Sequence, residues 1–246
     1  MRLDQLLFSR GFFPSREKAR RAVMAGEVEV EGQRVDKAGA EVAEDARIEV
    51  LARPPFVSRG GPKLAAALDA FGIDPRGWVC MDVGSSTGGF TDCLLQRGAR
   101  RVYAVDVGRG QLDWGLRRDP RVVVMEGVNA RHLPPDALPE ACRLITVDLS
   151  FISLTKVVPA LLPHLAADGL LLPLVKPQFE AGRGAVGKGG VVRDETLRRR
   201  VIGERVADLE RLGLECLGLI DSPLAGARGN REALALFRRP PHPHPP

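Results

Sequence analysis

The chain has 246 residues, room for one large domain or a domain and a half. With 44% hydrophobic residues but one Tyr and nine Phe, a full core can form, built mainly from Leu, Val and Ala. The net charge of +5 and pI near 9.3 accommodate a polyanionic partner without demanding one, the four cysteines form no Cys-x-x-Cys pair, and no metal site is expected.

The opening segment MRLDQLLFSRGFF has charges inside its apolar stretch and no small-residue cleavage site, so it does not read as a signal peptide. The longest apolar run, 169–175, is far below the ~20 residues of a membrane span, and a cytoplasmic protein is expected. Residues 2–7 read as a short helix, and Ser15 as the N-cap of a second over 16–25 that Gly26 stops. Strands follow at 28–31 and 34–35 around a Gly32-Gln33 turn, with a last one at 47–51. Six basic residues in the first 21 (Arg2, Arg10, Arg16, Lys18, Arg20, Arg21) face two acids, Asp4 and Glu17, which suggests a basic patch. This stretch, with its Arg-Leu-Asp, its Ser-Arg opening the second helix and its Gly-x-Val-x-Val-x-Gly, resembles the RNA-binding domain named after ribosomal protein S-four.

The segment RPPFVSRGG at 53–61 is punctuated by prolines and glycines, so the domains are expected at 1–52 and 62–239 with a linker between and a disordered tail over 240–246. His242 and His244 lie in that tail. Arg59, in the linker, is a further candidate RNA contact. Beyond it, strands are expected at 79–83, 102–107, 122–125, 144–149, 170–175, 214–220 and 233–237. Helices are expected near 62–71, 89–97, 109–117, 155–161 and 194–211. The alternation predicts an α/β fold, a Rossmann-like sheet of seven mostly parallel strands, beside a small α+β domain.

The first glycine loop, MDVGSSTGGFT, runs from 81 to 91. A nucleoside triphosphate loop would carry lysine where Phe90 stands, and Ser86 replaces the second glycine of a dinucleotide fingerprint. S-adenosylmethionine carries no phosphate and tolerates a loop without lysine. The candidate cofactor residues are therefore Asp82, Gly84, Ser85, Ser86, Thr87, Gly88, Gly89 and Phe90 on the loop. Asp106 follows at the spacing of a ribose-binding acid, and Asn129 and Asp148 lie at later strand ends. A dinucleotide and a turn without ligand stay open on the residues alone. The second glycine run, 182–190, has Gly189 where a Mg²⁺-binding hydroxyl would stand and reads as a basic loop near the site.

Lys176 ends an apolar run, GLLLPLVKPQFE, where desolvating an ammonium is costly. No Pro-Pro follows Asp148 as in base-amine methylation, and no cysteine sits beside proline as in cytosine C5 methylation. A hydroxyl acceptor needs neither, only alignment and deprotonation. Lys63, Asp148, Lys176 and Glu232 are the charged groups available, and burial or a second cation would lower a lysine's pKa enough for it to act as base.

Taken together, SRGGPKL, DVGSSTGGFTDCLLQRGA, DLSFISL, LVKPQFEAGR and SPLAGARGNREAL are similar to the TlyA family of bacterial ribosomal-RNA methyltransferases. In that family an S-four-type domain precedes a domain like the FtsJ ribose methyltransferases. The resemblance implies S-adenosylmethionine-dependent 2′-O-methylation of cytidine in ribosomal RNA, with Lys63, Asp148, Lys176 and Glu232 as the catalytic set. Other RNA substrates or positions remain alternatives, as does a membrane-active role, since relatives carry a hemolysin name.

Overall fold

The computed structural model describes residues 1–24, 26–51, 55–182, 187 and 189–240. The chain divides into two compact units, Met1–Pro54 and Pro55–Pro246.

In the first unit, α1 (Leu3–Ser9) and α2 (Arg16–Met24) pack over a three-stranded antiparallel sheet of β1 (Val28–Val30), β2 (Gln33–Arg34) and β3 (Ile48–Val50). Leu3, Leu7, Ala19, Val23 and Val28 are fully buried between them. Glu31 and Gly32 both have positive φ (52° and 76°). The tight turn therefore sits one residue earlier than Gly32-Gln33, with the twist a two-residue hairpin favours. Asp4 ties the helices together. Its buried carboxylate accepts hydrogen bonds from Arg2 Nε at 3.1 Å and from Arg16 Nε at 3.1 Å. The hydrogen bond from Arg2, then the one from Arg16, hold its carboxyl below the ordinary range against the opposing effect of burial.

The second unit contains α3 (Gly60–Ala70), β4 (Val79–Val83), α4 (Gly89–Gln96), β5 (Arg101–Asp106), α5 (Trp114–Arg118), β6 (Val122–Glu126), β7 (Cys142–Val147) and α6 (Val158–Leu161). It continues through β8 (Leu165–Val175), α7 (Pro177–Glu180), α8 (Glu195–Glu210), β9 (Glu215–Asp221) and β10 (Ala233–Arg238). Among the described residues the seven strands stand in the order β6-β5-β4-β7-β8-β10-β9. The first five pair in parallel, and β10 runs antiparallel to both its neighbours. Alternate strand residues feed two cores. Met81, Val105, Ile145 and Leu171 meet α6 and α8 through Leu161 and Ile202, while Cys80, Val102, Leu144 and Leu172 meet α3 and α4 through Leu64 and Leu94. Helices thus cover both faces, as buried parallel strands require.

Several expected boundaries move. The segment from residue 55 belongs to the second unit: Gln96 Nε2 donates to the Pro55 carbonyl at 2.8 Å and Val57 N to Asp92 Oδ2 at 2.9 Å. α3 begins at Gly60, because Gly61 leaves room for the Phe56 ring, which a Cβ would strike. The helix expected over 109–117 starts only at Trp114, where Asp113 caps it by accepting from Gly115 N at 2.7 Å. The helix expected over 155–161 breaks into 3-10 turns around α6, with Pro159 and Pro163 each opening a new piece. Pro177 does more than end β8, since it starts α7. The tail with His242 and His244, and residues 183–186 and 188 of the second glycine run, lie outside the described residues.

Candidate active site

β4 and β7 are central neighbours, and the chain winds away from them toward opposite sheet edges. In such sheets the crevice between the carboxyl ends of these strands takes the ligand. Gly84 leaves β4 at φ +84°, and a Cβ there would run into the Asp148 carbonyl just past β7. Only glycine satisfies both the backbone angle and the close approach.

A cavity of about 500 Å³ opens at this point. Gly84, Ser86, Asp106 and Gln111 line one side, Asn129, Asp148 and Ser150 another, and Val107, Val128, Ala130 and Ile152 give it apolar walls. Asp106 Oδ2 accepts from Ser86 N at 2.8 Å and Oδ1 from Gly108 N at 2.7 Å. Each oxygen keeps a second lone pair, so the carboxylate is fixed in place and still able to accept from a ligand hydroxyl. Asn129 Oδ1 accepts from Arg131 N at 3.1 Å, which leaves its amide NH₂ to donate.

A second hollow of about 410 Å³ shares Gly84, Ser86 and Asp148 with the first and adds Ser58, Arg59, Lys63, Ser85, Thr87, Gly89 and Phe90. Around it the four charged candidates form two pairs. Lys63, in the first turn of α3, donates to Glu232 Oε2 at 2.6 Å across 169 residues of sequence, and both side chains are buried. Gln178 Nε2 donates to the other oxygen of Glu232 at 3.3 Å. Gly226 lies against the same carboxylate, which a Cβ there would strike. In the other pair Lys176 Nζ lies 2.6 Å from Asp148 Oδ1 and donates to Ser150 Oγ at 3.1 Å. The Lys176–Asp148 contact is an ion pair whose angle falls outside hydrogen-bond geometry, so Oδ1 is a buried acceptor with no hydrogen bond. Phe151, at φ +66° and 89% exposed, follows on this loop, with its ring 4.8 Å from that of Phe179.

Not every sequence candidate reaches the cavities. Asp82 is fully buried beneath the loop and accepts from Thr91 N at 2.9 Å, Thr91 Oγ1 at 2.7 Å and Thr146 Oγ1 at 3.3 Å. It anchors α4 to the sheet and does not face the crevice. Burial, with the Asp148 charge adding to it and the Thr91 and Thr146 hydrogen bonds opposing it, pushes its carboxyl up to about 7. Gly88 is buried under Leu112 and Leu116. In the first unit Arg2 and Arg16 are taken up by Asp4, and Arg10 donates to the carbonyls of Ala46 and Glu44 at 2.7 and 2.6 Å. Arg21 pairs with Glu17 at 3.2 Å on the surface. Lys18 and Arg20 are exposed, and among the described residues neither has an acidic partner. The sequence reading missed Gln111, Ser150 and Gln178. The last two each stand two residues after a named candidate, which was the available signal.

Sheet order, glycine loop and strand-end carboxylate together define a Rossmann-like methyltransferase. A family model described as FtsJ-like methyltransferase matches residues 56–239, and one described as S4 domain matches residues 1–48. The chain belongs to the FtsJ-like methyltransferase family, with an S-four-type domain ahead of the catalytic one. It is 46% identical to the 16S/23S rRNA (cytidine-2′-O)-methyltransferase TlyA of Mycobacterium tuberculosis over 96% of this chain and 89% of that protein. It is 42% identical to Hemolysin A of Brachyspira hyodysenteriae, over 96% and 99%. A solved hemolysin-named structure from Streptococcus thermophilus superposes at a TM-score of 0.76 with 41% identity, covering 98% of this chain and 88% of that one. Among the described residues no helix is long and apolar enough to cross a membrane.

Proposed function

We propose that the protein transfers a methyl group from S-adenosylmethionine to the ribose 2′-hydroxyl of a cytidine in ribosomal RNA. The observation that carries this is one hollow, beside the glycine-lined cavity, lined by Lys63 and Asp148, each held in an ion pair, with Glu232 and Lys176 respectively.

The residues fit the cofactor. The crevice is held open at Gly84, Asp106 keeps acceptor capacity for ribose hydroxyls, and Val107, Val128 and Ala130 suit an adenine face. When bound, S-adenosylmethionine supplies an electrophilic methyl group. The chain's own task is to hold the 2′-hydroxyl in line and remove its proton. Lys176 Nζ donates to Ser150 and lies against the Asp148 carboxylate, and its remaining N–H groups can hold the oxygen. To act as base it gives up a proton to solvent, and the neutral amine then takes the hydroxyl proton. The Lys63–Glu232 ion pair, neutral as a whole, fixes the Lys63 ammonium in the wall of the hollow, and Gln178 keeps the Glu232 carboxylate from rotating away.

Lys18, Arg20 and Arg21 on α2, with Arg59 beside the hollow, are the RNA contacts proposed here; phosphate contacts of this kind position RNA without reading its sequence. The test is to offer purified ribosomal subunits with methyl-labelled S-adenosylmethionine and map the labelled nucleotide. Label on a ribose oxygen of a cytidine is expected, and label in a base or in protein would overturn the reading.

A further inference from the structure

The loop after β7 and the helix after β8 are joined at successive positions. Lys176 meets Asp148 and Ser150, the Phe179 ring meets Phe151, and Glu180 meets Ser153 and Leu154. The last contact is the most buried of the three. The Glu180 side chain is 2% exposed; Oε2 accepts from Ser153 Oγ at 2.6 Å and Oε1 from Leu154 N at 2.8 Å. The nearest cation, Arg205, stands 3.9 Å away, and its Nε makes no hydrogen bond. Glu180 is thus buried with two short acceptor bonds, while its one ion pair, to Arg205, is long and not hydrogen-bonded. Desolvating a carboxylate with so weak a counter-ion is expensive, which points to a geometric demand at this place.

That demand lies between the two ends of the loop. Asp148 enters it directly from β7, and Leu154 starts the 3-10 turn that closes it. Between them Phe151 adopts a left-handed conformation, φ +66°, which is strained for a bulky residue. A loop strained in its middle keeps its shape only if both ends are fixed. The β-sheet fixes the Asp148 end through Asp148 N donating to Val83 O at 2.8 Å, and Glu180 fixes the other. We infer that Glu180 is a positioning residue for methyl transfer: by fixing Ser153 and Leu154 it sets where Asp148 and Ser150 meet Lys176. This deepens the function proposed above and rests on it.

The inference makes Gln an adequate substitute for Glu. A glutamine oxygen can accept from Leu154 N, and its NH₂ can donate to Ser153 Oγ, which is then free to donate to Thr155 Oγ1, 2.9 Å away. Alanine removes both bonds. The experiment compares wild type, Glu180→Ala, Glu180→Gln and Ser153→Ala on ribosomal subunits, reading the single-turnover methylation rate at saturating RNA and S-adenosylmethionine, the cofactor Kd, and the melting temperature. Glu180→Ala should slow the single-turnover step by roughly tenfold to a hundredfold, as a displacement of about an ångström does, with the Kd changed far less. Ser153→Ala, which loses one bond of the two, should fall between, and Glu180→Gln should recover most of the rate. If Glu180→Ala does not fold, Ser153→Ala and Glu180→Gln still decide the matter. A wild-type rate in Glu180→Ala or Ser153→Ala, or a loss that appears only in Kd and melting temperature, would overturn the inference. If wild type itself places no methyl on ribose, the function proposed above is what has failed.

Discussion

Replacing Asp82 with asparagine isolates one buried charge. Asp82 is fully buried on β4, and its carboxyl sits at about 7 against an ordinary value of 3.8, first because of burial. In the folded chain it therefore binds its proton more tightly than in the unfolded chain. The associated stability is fully present below about pH 4 and is lost as pH rises through about 7. At ~1.4 kcal/mol per pH unit, the whole interval corresponds to at most about 4 kcal/mol. Asparagine preserves the hydrogen bonds: its oxygen accepts from Thr91 N and Oγ1, and its NH₂ can donate to Thr146 Oγ1, which can then donate to the Met81 carbonyl. Urea unfolding of wild type and Asp82→Asn between pH 4.5 and 8, followed by tryptophan fluorescence, measures the difference. Both tryptophans, Trp78 and Trp114, belong to the second unit, so the signal reports that unit. Asp82→Asn should gain stability relative to wild type as pH rises. Parallel pH profiles for the two proteins would refute the reasoning.

Asp4 should behave in the opposite sense. Its carboxyl is held low by Arg2 and Arg16, so its contribution is present above about pH 4 and lost below, and Asp4→Asn should flatten the acid unfolding of the first unit. Gly226→Ala should suppress methyl transfer while the glycine loop keeps its affinity for S-adenosylmethionine, because the new Cβ would displace the Glu232 carboxylate from Lys63; calorimetry with the cofactor separates the two effects. Replacing Lys18, Arg20 and Arg21 together with alanine should weaken RNA binding and make it less sensitive to salt, the log–log slope falling by about one for each phosphate that is no longer neutralised. An unchanged salt slope would remove α2 from the RNA interface.

The middle of the sheet was legible because β4, β5, β7 and β10 are buried on both faces and read as apolar runs. The members of the two lysine–carboxylate pairs were legible as charges at loop and strand ends. Asp82 misled because a carboxylate at the end of a strand before a glycine loop looks alike in sequence whether it faces the crevice or the helix behind it. Thr91, nine residues on at the start of α4, and Thr146, 64 residues on, decide that. The basic patch of the first unit overcounted for a related reason. Arg2 and Arg16 meet on Asp4 only once the helices pack, and Arg10 finds carbonyls 34 and 36 residues away. Local composition records a charge but not its partner. The loop from Asp148 to Leu154 was opaque too, since its shape depends on Glu180, which reads in sequence as one more polar residue after a proline.

Nucleoside mass spectrometry of ribosomal RNA treated with wild type, Lys176→Ala or Lys176→Arg tests the central claim most directly. Wild type should form 2′-O-methylcytidine and neither variant should, since arginine keeps the charge but cannot give up its proton, while both variants still bind S-adenosylmethionine. Methylcytidine formed at the wild-type rate by Lys176→Ala, or a methyl group found on a base, would contradict the claim.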